Sequence, residues 1–198
     1  MSLPPQTSVR PEPTGPTPAQ TIGPFFRGAM ASLGARDLVA PGSPGPVVLT
    51  GRVLDGAGAP LPDAMVEIWQ ADGHGSLAGA AVASGTWSGF GRSLTDADGR
   101  YGFTTVVPGA VDGVQAPHID MTVFARGLLQ RLVTRVYLPD QPANATDPVL
   151  TGLDADRRAT LLAVAGAARR APGEPDGDPV LTFDVRLQGE RETAFFVW

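Results

Sequence analysis

Turn signals punctuate the middle of this chain about every ten residues, and that spacing limits what it can build. Asp55-Gly56-Ala57-Gly58, Asp72-Gly73-His74-Gly75, Asp96-Ala97-Asp98-Gly99 and Pro108-Gly109 each combine residues that favour tight turns. Between and after them lie short apolar segments at 47–54, 64–71, 101–107 and 116–126. Segments that short, alternating apolar with polar, read as half-buried strands rather than helices. The Asp55 turn reads as a hairpin turn. Residues 128–138 read as the hairpin partner of 116–126, residues 180–187 as a further strand, and residues 193–198 as an aromatic strand or arm. The 25 Gly and 20 Pro agree, since turn formers at that level suit many short strands.

One stretch departs from this pattern. Leu153, Arg157, Leu161, Val164 and Ala168 fall at helical spacing, which predicts a helix over 153–168. Thr151 and Asp154 offer a capping signal, and Gly166 with the run Arg169-Arg170-Ala171-Pro172-Gly173 closes it. Residues 1–18 hold six prolines and few large apolar groups, so they read as an extended arm. The expected fold is all-β: a β-sandwich of mixed short strands with one helix in the C-terminal half and a Pro-rich N-terminal arm. Residues 19–198 form its single domain.

Composition removes several functional classes. The chain has no Cys, which excludes a disulfide framework and thiolate metal ligation. A net charge of −5 argues against nucleic acid. No apolar run reaches the length of a membrane span, and the N-terminus lacks the basic-then-apolar pattern of a leader. A soluble cytoplasmic protein with no nucleic-acid or membrane partner is expected. Any site needing imidazole or phenolate must draw on His74, His118, Tyr101 and Tyr137.

The stretch Ala116-Pro117-His118-Ile119-Asp120-Met121-Thr122-Val123-Phe124-Ala125-Arg126 carries the site-grade residues. Its period of two puts Ile119, Met121, Val123 and Ala125 on one face and His118, Asp120, Thr122 and Arg126 on the other, with Phe124 an intruder. Arg126 stands roughly 26 Å from His118 if the strand stays straight, so one small ligand cannot touch both. Arg126 therefore serves either an ion pair or a different pocket. Upstream, Thr21 and Gly23-Pro24 mark a turn that Phe25-Phe26 can anchor in apolar surface. It is either a plain turn or a rigid loop that lends Pro24 and backbone to a pocket wall.

Three groups of motifs resemble the intradiol ring-cleavage dioxygenases, β-sandwich enzymes that use non-haem Fe(III). They are Gly51-Arg52-Val53 with Ile68-Trp69-Gln70-Ala71-Asp72; Gly91-Arg92 with Thr95-Asp96-Ala97-Asp98-Gly99 and Val107-Pro108-Gly109; and Ala116-Pro117-His118-Ile119. Gln20-Thr21-Ile22-Gly23-Pro24, Phe124-Ala125-Arg126-Gly127 and Gln188-Gly189-Glu190-Arg191-Glu192-Thr193 narrow the likeness to the two-chain members of that family that act on protocatechuate.

That family holds iron with two Tyr and two His, the His pair spaced His-x-His. Here the pair reads His118-Ile119-Asp120, and the loops that would carry the Tyr ligands, 73–91 and 108–117, contain none. The resemblance therefore implies a chain with no metal and no cofactor of its own, in which His118 and Asp120 are vestigial iron-site positions. A site of two imidazoles and one carboxylate would need His74 as well. The implied partner is an iron-bearing beta chain, joined in an αβ hetero-oligomer of several copies. The partner's pocket would be completed by Thr21, Gly23, Pro24 and Arg126. Protocatechuate and O2 are the implied substrates, and 3-carboxy-cis,cis-muconate the product, in aromatic catabolism. Two alternatives remain open on the residues: a homomeric intradiol dioxygenase for another catechol, and a non-enzymatic module of the transthyretin-like or carboxypeptidase-regulatory-like kind.

Overall fold

The computed structural model describes residues 18–23, 25–33, 35–39, 45–77, 87–167 and 178–196. All but Pro18 of the expected N-terminal arm lies outside them, as do Pro24 and 168–177. Two sheets face each other across one core. The first runs in the order β4 (Arg100–Val106), β1 (Pro46–Leu54), β8 (Pro179–Thr182), β7 (Val164–Ala167), with β9 (Val185–Arg186) continuing beside β1. The second runs β3 (Phe90–Leu94), β2 (Met65–Trp69), β5 (His118–Phe124), β6 (Leu132–Tyr137), all antiparallel. Leu49, Val53 and Phe103 from the first sheet meet Val66, Ile68, Ile119, Met121, Val123 and Val136 from the second, all buried. The expected sandwich stands, with β8 and β9 running parallel to β1. Among the described residues no helix is long and apolar enough to cross a membrane.

The Asp-Gly turns share one construction. The leading carboxylate accepts from two backbone N–H groups: Asp55 from Ala57 and Ala59, Asp72 from His74 and Ser76, Asp96 from Asp98 and Arg100. Such local bonds compete with strand pairing and end the strand. Gly58, Gly75 and Gly99 then take φ values of +83°, +82° and +72°, which a side chain would strain. The Asp55 turn closes locally as the expected hairpin turn, with Asp55 N donating to Ala59 O at 2.9 Å and Leu54 bridged antiparallel to Pro60, but it does not pair β1 with β2. β1 pairs with β4, β8 and β9, so this turn carries the chain across to the other sheet. The Asp96 turn carries it back, from β3 to β4. Two buried side chains tie the sheets together where they diverge: Thr105 Oγ1 donates to Gln70 Oε1 at 2.9 Å, and Gln70 Nε2 donates to Val106 O at 2.9 Å.

The helix expected over 153–168 is the main local error. A single turn and a half of helix, α3 (Ala155–Ala159), forms there, capped by Asp154, whose side chain accepts from Arg157 N at 2.8 Å. Beyond Thr160 the chain turns to the sheet: Tyr137 N donates to Leu161 O at 2.8 Å and Ala163 N to Tyr137 O at 2.9 Å. Val164 to Ala167 then pairs with β8. A short isolated helix is marginal, whereas a free strand edge satisfies the same backbone groups and is anchored by the buried Leu161. A second short helix, α2 (Pro148–Thr151), precedes it, and α1 (Phe25–Ala31), which the sequence reading did not expect, follows the Thr21–Gly23 loop.

The strand expected over 180–187 is interrupted at Phe183-Asp184. Tyr101 donates its hydroxyl to Phe183 O at 2.5 Å, and Arg52 N donates to Asp184 Oδ1 at 2.8 Å. Gly51 lies directly beneath; a Cβ there would come within 1.8 Å of Phe183 O. The break is a close backbone crossing that only glycine admits. The C-terminal aromatic segment adds one bridge to the second sheet, Phe196 to Val133.

Candidate functional site

β5 organises two clusters, one at each end. Its burial alternates as the spacing predicts: Ile119, Met121 and Val123 are buried, and His118, Asp120, Thr122 and Phe124 form the outer face. The strand stops at Phe124, so Arg126 sits in the following turn and not on the strand.

At the N-terminal end, His118 Nδ1 lies 2.7 Å from Ala116 O. A carbonyl only accepts, so Nδ1 carries the proton of the neutral ring and Nε2 keeps its lone pair. That nitrogen is 3.8 Å from Asp120 Oδ1. Asp120 is held from across the sheet by Arg135, whose Nε donates to Oδ1 at 2.9 Å while Nη1 donates to Gln115 Oε1 at 2.6 Å. The Arg135 guanidinium also lies over the Phe196 ring, 5.9 Å from its centroid. Tyr137 faces His118 in the register, ring to ring at 5.5 Å. Its hydroxyl donates to Asp147 Oδ1 at 3.1 Å. Burial pushes the Tyr137 phenol up to about 12, with the Asp147 carboxylate adding to the rise and Arg135 opposing it.

Asp147 is the hidden member of this cluster. Fully buried, it accepts from Tyr137, from Ala116 N at 2.8 Å, and from Val149 N and Leu150 N at 2.8 and 3.1 Å. One carboxylate thus caps α2 and fixes the strand entry that carries His118. The pair Asp147-Pro148 is a legible helix-start signal, an N-cap followed by proline, although its link to Ala116 is not. Arg135 gave no signal, because its pairing with Asp120 depends on the β5–β6 register.

This donor set does not fit ferric iron. That ion is selected by hard phenolate ligands. Tyr137 is protonated and committed to Asp147, and Tyr101 is buried in the other sheet, donating to Phe183 O. Burial, then the Asp184 charge, holds the Tyr101 phenol well above its ordinary range. Asp120, at the second imidazole position, is neutralised by a guanidinium. His74 lies exposed in the Asp72 turn. Among the described residues, no three His, Asp or Glu side chains gather as a metal group would need.

At the C-terminal end, Thr21 is joined to the turn that bears Arg126, Gly23 lies two residues beyond Thr21, and Pro24 lies outside the described residues. Gly127 N donates to Thr21 Oγ1 at 2.7 Å, joining the N-terminal loop to the turn that bears Arg126. Gly23 O accepts from Phe26 N at 3.1 Å as the chain enters α1. Phe26 packs on Phe124 at 5.8 Å, but Phe25, expected to share that anchorage, is 90% exposed. Arg126 is 65% exposed at its side chain and paired with Asp63, the ion pair that the sequence reading offered as one alternative without naming its partner.

A protein-family model described as Dioxygenase matches residues 33–117. Over 195 residues the chain is 43% identical to the protocatechuate 3,4-dioxygenase alpha chain of Burkholderia cepacia, an alignment that covers 91% of this chain and 96% of the relative. It is 34% identical over 158 residues to the beta chain of the same name from that organism, covering 74% of this chain and 66% of the relative. Among solved structures, the dioxygenase domain of a dioxygenase–carbohydrate-binding protein fusion from Streptomyces sp. SirexAA-E matches with a TM-score of 0.59. The two are 29% identical, and the match covers 91% of this chain and all of that one.

Proposed function

We infer the role of this chain from one premise: the chain belongs to the intradiol ring-cleavage dioxygenase family. The role supported best is that of the alpha subunit of a protocatechuate 3,4-dioxygenase, a chain without iron of its own that completes the substrate pocket of an iron-bearing beta chain. The two assemble as an αβ hetero-oligomer of several copies and work in the cytoplasm. Likeness to an alpha chain along nearly its whole length supports the assignment. It also disfavours a minimal binding module, which needs neither the Thr21 loop nor the C-terminal arm.

The observation that carries the reading is that the carboxylate and the phenol beside His118 are already engaged. Arg135 neutralises Asp120, and Asp147 holds the Tyr137 phenol. The other end of β5 differs: a largely exposed guanidinium, paired with Asp63 through Nε alone, stands beside a tethered Gly-containing loop. Protocatechuate bears a carboxylate, and a guanidinium is the side chain best shaped to receive one. In this reading Thr21, Gly23 and Pro24 form a low-entropy wall, Arg126 favours the anionic ring substituent, and ring opening by O2 takes place on the partner chain.

The test uses the complex co-expressed with its beta chain. Arg126→Ala is expected to leave iron content unchanged and to weaken protocatechuate turnover. The chain purified alone is expected to carry no stoichiometric iron and to open no ring. Ring opening by the solitary chain would overturn the reading.

A further inference from the structure

We propose that Asp63 is a positioning residue for Arg126, and that it thereby tunes the enzyme for ring substrates carrying a carboxylate. The proposal rests on the role given to Arg126 above, and its test separates the two.

Arg126 has a problem of freedom. Its side chain is 65% exposed, on a turn rather than a strand. A free arginine carries rotamer entropy that must be lost before it can hold a ligand in one pose. The structure supplies a fixed point. Arg126 Nε donates to Asp63 Oδ2, and the Asp63 side chain is only 21% exposed. Among the described residues, the two terminal nitrogens of Arg126 make no protein hydrogen bond. A contact through Nε leaves that outer pair available, and the outer pair is what grips a carboxylate with two parallel bonds.

Asp63 can serve as a fixed point because its backbone is held from both sides. Pro62 O, one residue before it, accepts from Arg27 at 2.6 Å, and the same guanidinium nitrogen reaches Thr95 O at 3.0 Å. Ala64 N, one residue after it, donates to the Thr95 hydroxyl oxygen at 3.0 Å, and that hydroxyl lies 2.7 Å from Leu61 O. Thr95 itself is buried. The turn bearing Arg126 is held in its turn by the bond from Gly127 N to Thr21. Thr21 and Arg27 are thus bonded to the segments at 125–127 and 61–64 respectively, and those two segments are joined by the Asp63–Arg126 pair.

A carboxylate beside the guanidinium has a second consequence: it lowers the local positive charge that an anionic substrate feels. Positioning and charge therefore push in opposite directions, which makes the sign of the effect informative. The experiment is steady-state kinetics of the αβ complex with Asp63→Asn, Asp63→Glu, Arg126→Ala and the Asp63→Asn/Arg126→Ala double variant. Protocatechuate and unsubstituted catechol are the two substrates. An exposed pair contributes up to about 1 kcal/mol, so KM for protocatechuate is expected to rise about fivefold in Asp63→Asn with kcat little changed. KM for catechol is expected to hold, Asp63→Glu to recover part of the loss, and the effect to vanish in the Arg126→Ala background.

Equal losses on both substrates, or a loss that persists without Arg126, would make Asp63 a merely structural residue and overturn the proposal. A fall in KM for protocatechuate would show the carboxylate to be a competitor, and overturn it as well. If Arg126→Ala matters and Asp63→Asn does not, the positioning role falls while the role of Arg126 survives. If Arg126→Ala has no effect, both fall together.

Discussion

Replacing Asp147 by Ala tests how the His118 end of β5 is held. The carboxylate accepts from four donors, the Tyr137 hydroxyl and the N–H groups of Ala116, Val149 and Leu150. Losing the cap of α2 costs about 1 kcal/mol. The Ala116 N–H and Tyr137 hydroxyl are the larger issue, because both residues are buried and no water can replace the lost acceptor. Each orphaned group costs about 1–3 kcal/mol. The expected destabilisation is therefore about 3–7 kcal/mol. For a domain this size that lowers the melting temperature by roughly 10 °C or more. Urea unfolding followed by tryptophan fluorescence measures it. Asp147→Asn should cost about half as much, since the amide oxygen keeps some acceptors while its NH2 faces at least one of the old donors. A loss below about 1 kcal/mol for the alanine variant would refute the reasoning, because the buried donors would then have found other partners.

Three further predictions follow from other contacts. Gly51→Ala should destabilise the fold by at least about 3 kcal/mol, because its Cβ would meet Phe183 O at 1.8 Å; near-wild-type unfolding would mean the crossing can open without cost. Tyr137 should titrate at about 12, so its neutral form favours the folded state: that stability is complete below the unfolded phenol value near 10 and is lost as pH rises toward 12. An ultraviolet phenolate titration of wild type against Tyr137→Phe checks this, and a midpoint near 10 would contradict it. Asp120→His should not restore metal binding, because both phenols remain committed and Arg135 would face the new imidazole; stoichiometric iron uptake measured by elemental analysis would count against that.

The local chemistry of the chain was legible and its long-range consequences were not. The Asp-led turns at 55, 72 and 96 were readable because a carboxylate bonding backbone two and four residues on needs nothing from the rest of the fold. The alternation along β5 was readable for the same reason, since side-chain direction in a strand depends on position alone. The helix over 153–168 was misread because its apolar spacing is equally that of a strap laid along a sheet. Only the open edges of β6 and β8 decide between them. The split at Phe183 was invisible because its cause, Gly51, lies far away in the sequence.

What the sequence determined by itself is therefore the inventory: short strands, Asp-capped turns, two imidazoles, two phenols, and a single imidazole where the family pattern asks for two. What tertiary structure decided is how that inventory is committed. Strand pairing brought Arg135 to Asp120, helix capping brought Asp147 to Tyr137 and Ala116, and the joining of two loops and a turn brought Asp63 to Arg126. Each of these contacts joins residues 10 to 63 positions apart. A side chain's type is local, but its partner is set by register and by which faces must be buried. Those are properties of the packed chain as a whole.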